Sequence, residues 1–208
     1  MVGSAPSVLS NKPGLIDSFE TVVRVNNYRL TNETGARCDV FFSFFGSSIR
    51  KRSDDLIRDG VRLCWCACPN SKPIASEWHE RNKRTIGIDF RYIYSLRAPF
   101  WFCDTYIPDD ARFVERFETL QKHIPSTGFA AVLDIVQSEP RELYMTGFDF
   151  FSSGIHNVWE RWRPGDPSDP IKHRPDLELG WLRKNATKYP LRFDKKLQEL
   201  VRGRRGAV

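Results

Sequence analysis

The 208-residue chain is long enough to bury one sizeable core, and its length points to one domain or a domain with an appended lobe. A hydrophobic fraction of 40% and a charged fraction of 28% are ordinary globular values, which excludes disordered, fibrous and disulfide-scaffold classes. Lys and Arg outnumber Asp and Glu by 32 to 26, so the chain favours anionic partners, whether nucleotide-sugar, acidic glycan, lipid headgroup or nucleic acid, without choosing among them.

No apolar run approaches the roughly 18 residues of a membrane-spanning helix, and the first residues carry neither a basic nor an apolar leader region. Five cysteines form an odd set, with Cys64, Cys66 and Cys68 alternating. That is a poor disulfide framework and suits a reducing compartment, so the expectation is a cytoplasmic protein.

In chain order, Val2–Ser7 reads as a strand end turning through small residues toward a helix, a place where backbone N–H groups can approach a phosphate. The same composition fits a plain tight turn. Phe19–Asn26 and Asp39–Phe45 are rich in β-branched and aromatic residues and predict strands. Ser47–Arg58 has polar spacing around Ile49 and Leu56, and Val61–Cys68 is again strand-like, giving an α/β rhythm. The cysteine alternation fits packing of small apolar thiols better than a zinc site, which commonly uses CxxC-type spacing. The aromatic run 41–45 reads as core strand, because aromatics that stack on bases usually interleave with basic residues.

Asp109–Gln121 predicts a helix, with Ala111, Phe113, Val114, Phe117 and Leu120 at helical spacing and acidic residues at its start. Thr127–Val136 predicts a second, opened by Pro125-Ser126-Thr127-Gly128, and Glu142–Gly147 a buried strand. Ser126 and Thr127 are equally N-cap residues and, at a helix N-terminus facing a crevice, anion contacts. Gly154–Pro175 carries Gly, Pro, Asp and Trp without a period and predicts a long loop holding His156 and His173, residues suited to proton transfer near neutrality. Within it, Trp159 and Trp162 are candidates to stack on a sugar ring and, equally, to cover the core. Asp176–Lys188 and Phe193–Arg202 predict helices, the second amphipathic and fading into a basic end at 189–208. Glu178 is placed either to fix the helix after His173 or to orient its ring. No linker divides residues 1–208.

These residues resemble glycosyltransferase family 29, the sialyltransferases. Val2-Gly3-Ser4-Ala5-Pro6-Ser7 followed by Ile16-Asp17-Ser18 and Arg24-Val25-Asn26 resembles the large sialyl motif. Pro125–Gly128 through Leu143–Phe148 resembles the small motif, and His173 with Glu178 fits the His-x4-Glu motif. His156 falls where the family carries a further histidine. Ser4 stands in place of the usual asparagine, the bridging cysteine pair is missing, and only Met1 and Val2 remain for a first strand, a truncated start or a reduced sheet edge.

The resemblance implies a single Rossmann-like α/β domain, a GT-A-like variant with a mainly parallel sheet flanked by helices. It implies an inverting transferase of bacterial or viral type that needs no metal or other cofactor and moves sialic acid, Kdo or a related nonulosonate from a CMP-linked donor to a glycan or glycolipid. Carried over, Gly3, Ser4 and Asn26 are donor contacts, as are Ser126, Thr127 and Gly128. His173 is the catalytic base, His156 assists the leaving phosphate, and Glu178 supports them. Peripheral membrane contact through the basic C-terminus, at the inner face, is expected, and nucleic acid is not. The competing reading is a non-catalytic protein that binds nucleotide-sugars or acidic glycans.

Overall fold

The structure, a computed structural model, describes residues 1–44, 49–67, 102–153 and 173–203. Six short strands are described: β1 (Val23–Val25), β2 (Val40–Ser43), β3 (Leu63–Cys66), β4 (Asp104–Tyr106), β5 (Leu143–Met145) and β6 (Leu191–Phe193). Five α-helices accompany them: α1 (Ser53–Arg58), α2 (Asp110–Thr119), α3 (Thr127–Val136), α4 (Pro175–Asn185) and α5 (Lys195–Arg202). Two 3₁₀ turns, Pro6–Ser10 and Ile16–Ser18, lie near the beginning.

β1 to β4 form one parallel sheet in that order, and β5 and β6 form a parallel pair. Val2 bridges in parallel both to Arg24 of β1 and to Thr146 after β5, which joins the two sets into one array. The backbone confirms the join: Val2 N–H donates to the Val23 carbonyl at 2.8 Å, and Gly3 N–H to the Thr146 carbonyl at 2.8 Å. The first strand is therefore not a reduced sheet edge. It lies at the centre, because both of its flanks find parallel partners.

Successive residues on the strands face opposite sides, and the aromatic run of β2 is split accordingly. Phe42 packs with Val23, Val25 and Val40 beneath α3, whereas Phe41 joins Tyr28, Cys38, Leu56, Cys64 and Cys66 on the other face. Cys64 and Cys66 are thus buried packing groups; Cys68 lies outside the described residues. α3 is buried over its whole apolar stretch from Phe129 to Val136, and its small Ala130 and Ala131 let the helix lie close to the sheet.

Most predicted elements are present with trimmed ends. The Phe19–Asn26 strand shortens to Val23–Val25, and Asn26 leaves it with a positive φ of 49°. α2 starts at Asp110 because Asp109 is its N-cap, accepting from Arg112 N–H at 2.8 Å. Of its predicted apolar face, Phe113, Phe117 and Leu120 are buried, while Val114 is exposed. Within the segment expected as a basic helix and tail, Leu191–Phe193 instead pairs with β5, and Asp194 caps α5. The predicted loop 154–175 lies outside the described residues up to His173.

Candidate active site at the carboxyl edge of the sheet

Parallel strands present all their carboxyl ends on one edge, and ligands of such sheets bind where the strand order reverses. Here the chain runs outward from Val2 through β1, β2, β3 and β4, then returns to place β5 on the opposite flank of Val2. The reversal point lies between Gly3 and Gly147. These two backbones touch. A Cβ on Gly3 would overlap the Gly147 carbonyl oxygen, and one on Gly147, at φ +74°, would lie 2.7 Å from the Gly3 carbonyl oxygen. Ala5 N–H then donates to the Gly147 carbonyl at 2.9 Å, turning the loop that carries half-buried Ser4 across the edge.

Asp194 holds this crossing from below. One carboxylate oxygen accepts from Gly147 N–H at 3.0 Å, from the Thr146 hydroxyl at 2.9 Å and from the Ser7 hydroxyl at 3.0 Å; the other caps α5 through Leu197 N–H at 2.8 Å. Thr146 in turn accepts from the Asn11 amide at 2.9 Å, whose oxygen accepts from the Tyr144 hydroxyl at 3.0 Å. Sequence reasoning did not find Asp194 as a member of the site; its only local signal is an N-cap position before Lys195.

Asn26 closes the next strand end. Its side-chain oxygen accepts from the Ser43 hydroxyl at 3.1 Å, and its N–H donates to the Phe42 carbonyl at 3.1 Å. At the middle of β1, Arg24 is fully buried, and its guanidinium donates to the carbonyls of Arg37 and Thr34 at 2.8 and 2.5 Å. Burial holds its pKa below the ordinary arginine value. The motif arginine is therefore a clamp on the 34–37 loop, two residues before Asn26.

α3 brings its N-terminus to the same edge. A Cβ on Gly128 would lie 2.5 Å from Cε1 of Phe148, so the helix start abuts the residue after Gly147. Ser126 is the N-cap: its hydroxyl accepts from Phe129 N–H at 3.2 Å. The same hydroxyl donates to Glu178 Oε2 at 2.9 Å, and Ser126 N–H donates to Glu178 Oε1 at 2.6 Å. Glu178 is fully buried, and that burial pushes its carboxyl up to about 7 against the two bonds from Ser126. Glu178 thus orients the small-residue triplet of α3. The His173 ring is positioned otherwise, by a bond between Nδ1 and the Ile124 carbonyl at 3.1 Å and by stacking on Phe151 with centroids 6.4 Å apart.

A carbonyl can only accept, so Nδ1 of neutral His173 carries the hydrogen and the lone pair sits on Nε2, the form a general base requires. Gly3, Ser4, Asn26, Ser126, Thr127, Gly128, His173 and Glu178 are accordingly gathered on one edge. His156, Trp159 and Trp162 lie outside the described residues. Two clefts among the described residues, of about 410 and 650 Å³, flank α5 and share Lys196 and Glu199; neither includes the Gly3, Ser126 and His173 group.

No protein-family model matches the chain, and no curated protein matches it. Solved structures do. The sialyltransferase CstII from Campylobacter jejuni, in complex with the substrate analogue CMP-3FNeuAc, is 17% identical with a TM-score of 0.58, over 93% of this chain and 80% of that one. The same enzyme with a trisaccharide acceptor and CMP is 16% identical with a TM-score of 0.52, over 93% and 79%. A mammalian sialyltransferase is 18% identical with a TM-score of 0.57, over 92% of this chain and 66% of that one. The chain has the sialyltransferase fold, an α/β architecture with a mainly parallel sheet and flanking helices.

Proposed function

We propose that the chain is an inverting, metal-independent glycosyltransferase that moves a nonulosonate sugar, of sialic acid or Kdo type, from a CMP-linked donor to a hydroxyl of a glycan or glycolipid. The observation that carries this reading is the meeting of the Gly3–Gly147 crossing, the α3 N-terminus and the His173–Glu178 segment at the strand-order reversal. In the donor, a tertiary anomeric carbon beside a carboxylate departs from phosphate as an oxocarbenium-like centre. The enzyme must therefore stabilise anions on one side and deprotonate an acceptor on the other.

In this reading the acceptor hydroxyl gives its proton to His173 Nε2 while its oxygen bonds to the anomeric carbon. The bond from that carbon to the phosphate oxygen breaks with its electron pair, and CMP leaves. The loop of Gly3 and Ser4, the amide of Asn26, and the 126–128 helix start line the donor side. His156 assists phosphate departure. The enzyme works in the cytoplasm at the inner membrane face, where its basic C-terminus contacts anionic lipid.

The test is thermal stabilisation by CMP against UMP, GDP and ADP, followed by transfer assays with CMP-sialic acid and CMP-Kdo. Selective stabilisation by CMP is expected; an equal response to all four nucleotides refutes the donor site. His173→Ala is expected to lower transfer by roughly 10²–10⁴-fold while CMP binding persists. Unchanged transfer would reject His173 as the base, and binding without transfer by the wild type favours the non-catalytic reading.

A further inference from the structure

Ser126 has one hydrogen to give, and in the structure its direction is set by Glu178. The Ser126 hydroxyl accepts from Phe129 N–H and lies 2.9 Å from Glu178 Oε2. Glu178 Oε1, at 2.6 Å from Ser126 N–H, is bound to accept. Any proton that Glu178 takes up must then sit on Oε2, facing the serine oxygen. With Glu178 ionised, the serine hydrogen points at the carboxylate and is withheld from a ligand. With Glu178 protonated, Oε2 becomes the donor, the serine oxygen accepts both it and Phe129 N–H, and the serine hydrogen is released.

We propose that Glu178 is a positioning residue whose protonation turns the Ser126 hydroxyl into a donor toward an anionic group of the CMP-linked sugar. This deepens the donor-site reading and rests on it. A buried ionised carboxylate facing one hydroxyl and one amide is poorly compensated, which is why its carboxyl is pushed up to about 7, within reach of ordinary pH. Among the described residues, the titratable groups of the adjoining segments are His173, Arg174 and Asp176 at the start of α4 and His123 before α3, with Arg174 and Asp176 paired to each other at 2.6 Å. Those groups persist when Glu178 alone is replaced.

Glu178→Gln reproduces the acid form permanently. Its amide oxygen accepts from Ser126 N–H, and its NH₂ donates to the serine oxygen. The experiment measures binding of CMP-3FNeuAc, whose phosphodiester and carboxylate stay ionised throughout, between pH 5.5 and 8.5, with circular dichroism confirming each variant's fold. Wild-type affinity is expected to rise about tenfold as pH falls through 7, the worth of one charge-assisted hydrogen bond. Glu178→Gln should hold the high affinity with that rise removed, and Ser126→Ala the low affinity with it likewise removed. A wild-type profile without the rise, or the same rise in Glu178→Gln or in Ser126→Ala, overturns the coupling while leaving the donor site standing. Absence of binding by every form at every pH overturns the donor site itself.

Discussion

Gly147 and Gly60 both sit at positive φ, 74° and 80°, yet the structure assigns them different penalties on substitution. Gly60 has open space where a Cβ would go, so Gly60→Ala should lose only the conformational term, about 1 kcal/mol. At Gly147 the added carbon would also press on the Gly3 carbonyl and on Val8, and Gly147→Ala should lose at least about 2 kcal/mol more. Denaturant melts of the two variants measure this directly; equal losses would mean that the Gly3–Gly147 contact is not tight. The sequence marks both glycines alike. What separates them is the opposing backbone, which belongs to a segment at the other end of the chain.

α2 and α3 are locked by one buried ion pair. Arg116 Nη2 lies 2.5 Å from Asp134 Oδ2, and Arg116 Nη1 donates to the Ala67 carbonyl at 2.8 Å, tying both helices to the end of β3. Burial pushes the Asp134 carboxyl up while the Arg116 charge draws it down. Arg116→Met would remove that opposition and should cost about 3–5 kcal/mol. A carboxyl raised on folding contributes stability below its unfolded pKa and loses it as pH rises through the folded value, so the deficit should grow from pH 5 to pH 8. A deficit independent of pH would place the loss in packing alone. Arg116→Leu with Asp134→Leu should recover part of it. α3 itself was legible to the residue, because Ser126 announces its cap and an unbroken apolar run follows. β4 was not, since Asp104–Tyr106 is an exposed strand, last in the sheet among the described residues, with no apolar signature. β6 was concealed too: Leu-Arg-Phe after Pro190 reads as the approach to a helix, and only pairing with β5 makes it a strand. In the site, the motif resemblance supplied the residues to inspect, but the bond between Glu178 and Ser126 spans 52 positions and leaves no local trace.

A group of basic side chains collects around α5. Lys195, Lys196 and Arg202 are exposed on it, Lys12 lines the cleft on one flank, and Arg183 lines the cleft on the other. If this surface meets anionic lipid, Lys195→Glu with Lys196→Glu should weaken binding to phosphatidylserine vesicles, each basic group being worth about 1 kcal/mol there. Unchanged binding at low salt would dismiss the lipid contact. The sheet has a further consequence, for the making of the protein. Its middle strand precedes both of its partners in the chain, and one of them, the Thr146 backbone, comes far later. At ~5–20 residues per second that interval is on the order of 10 s, much longer than a hairpin takes to close. Nascent Val2 can pair early with β1, but its second flank stays an open edge until β5 emerges, exposed to any extended segment that reaches it first.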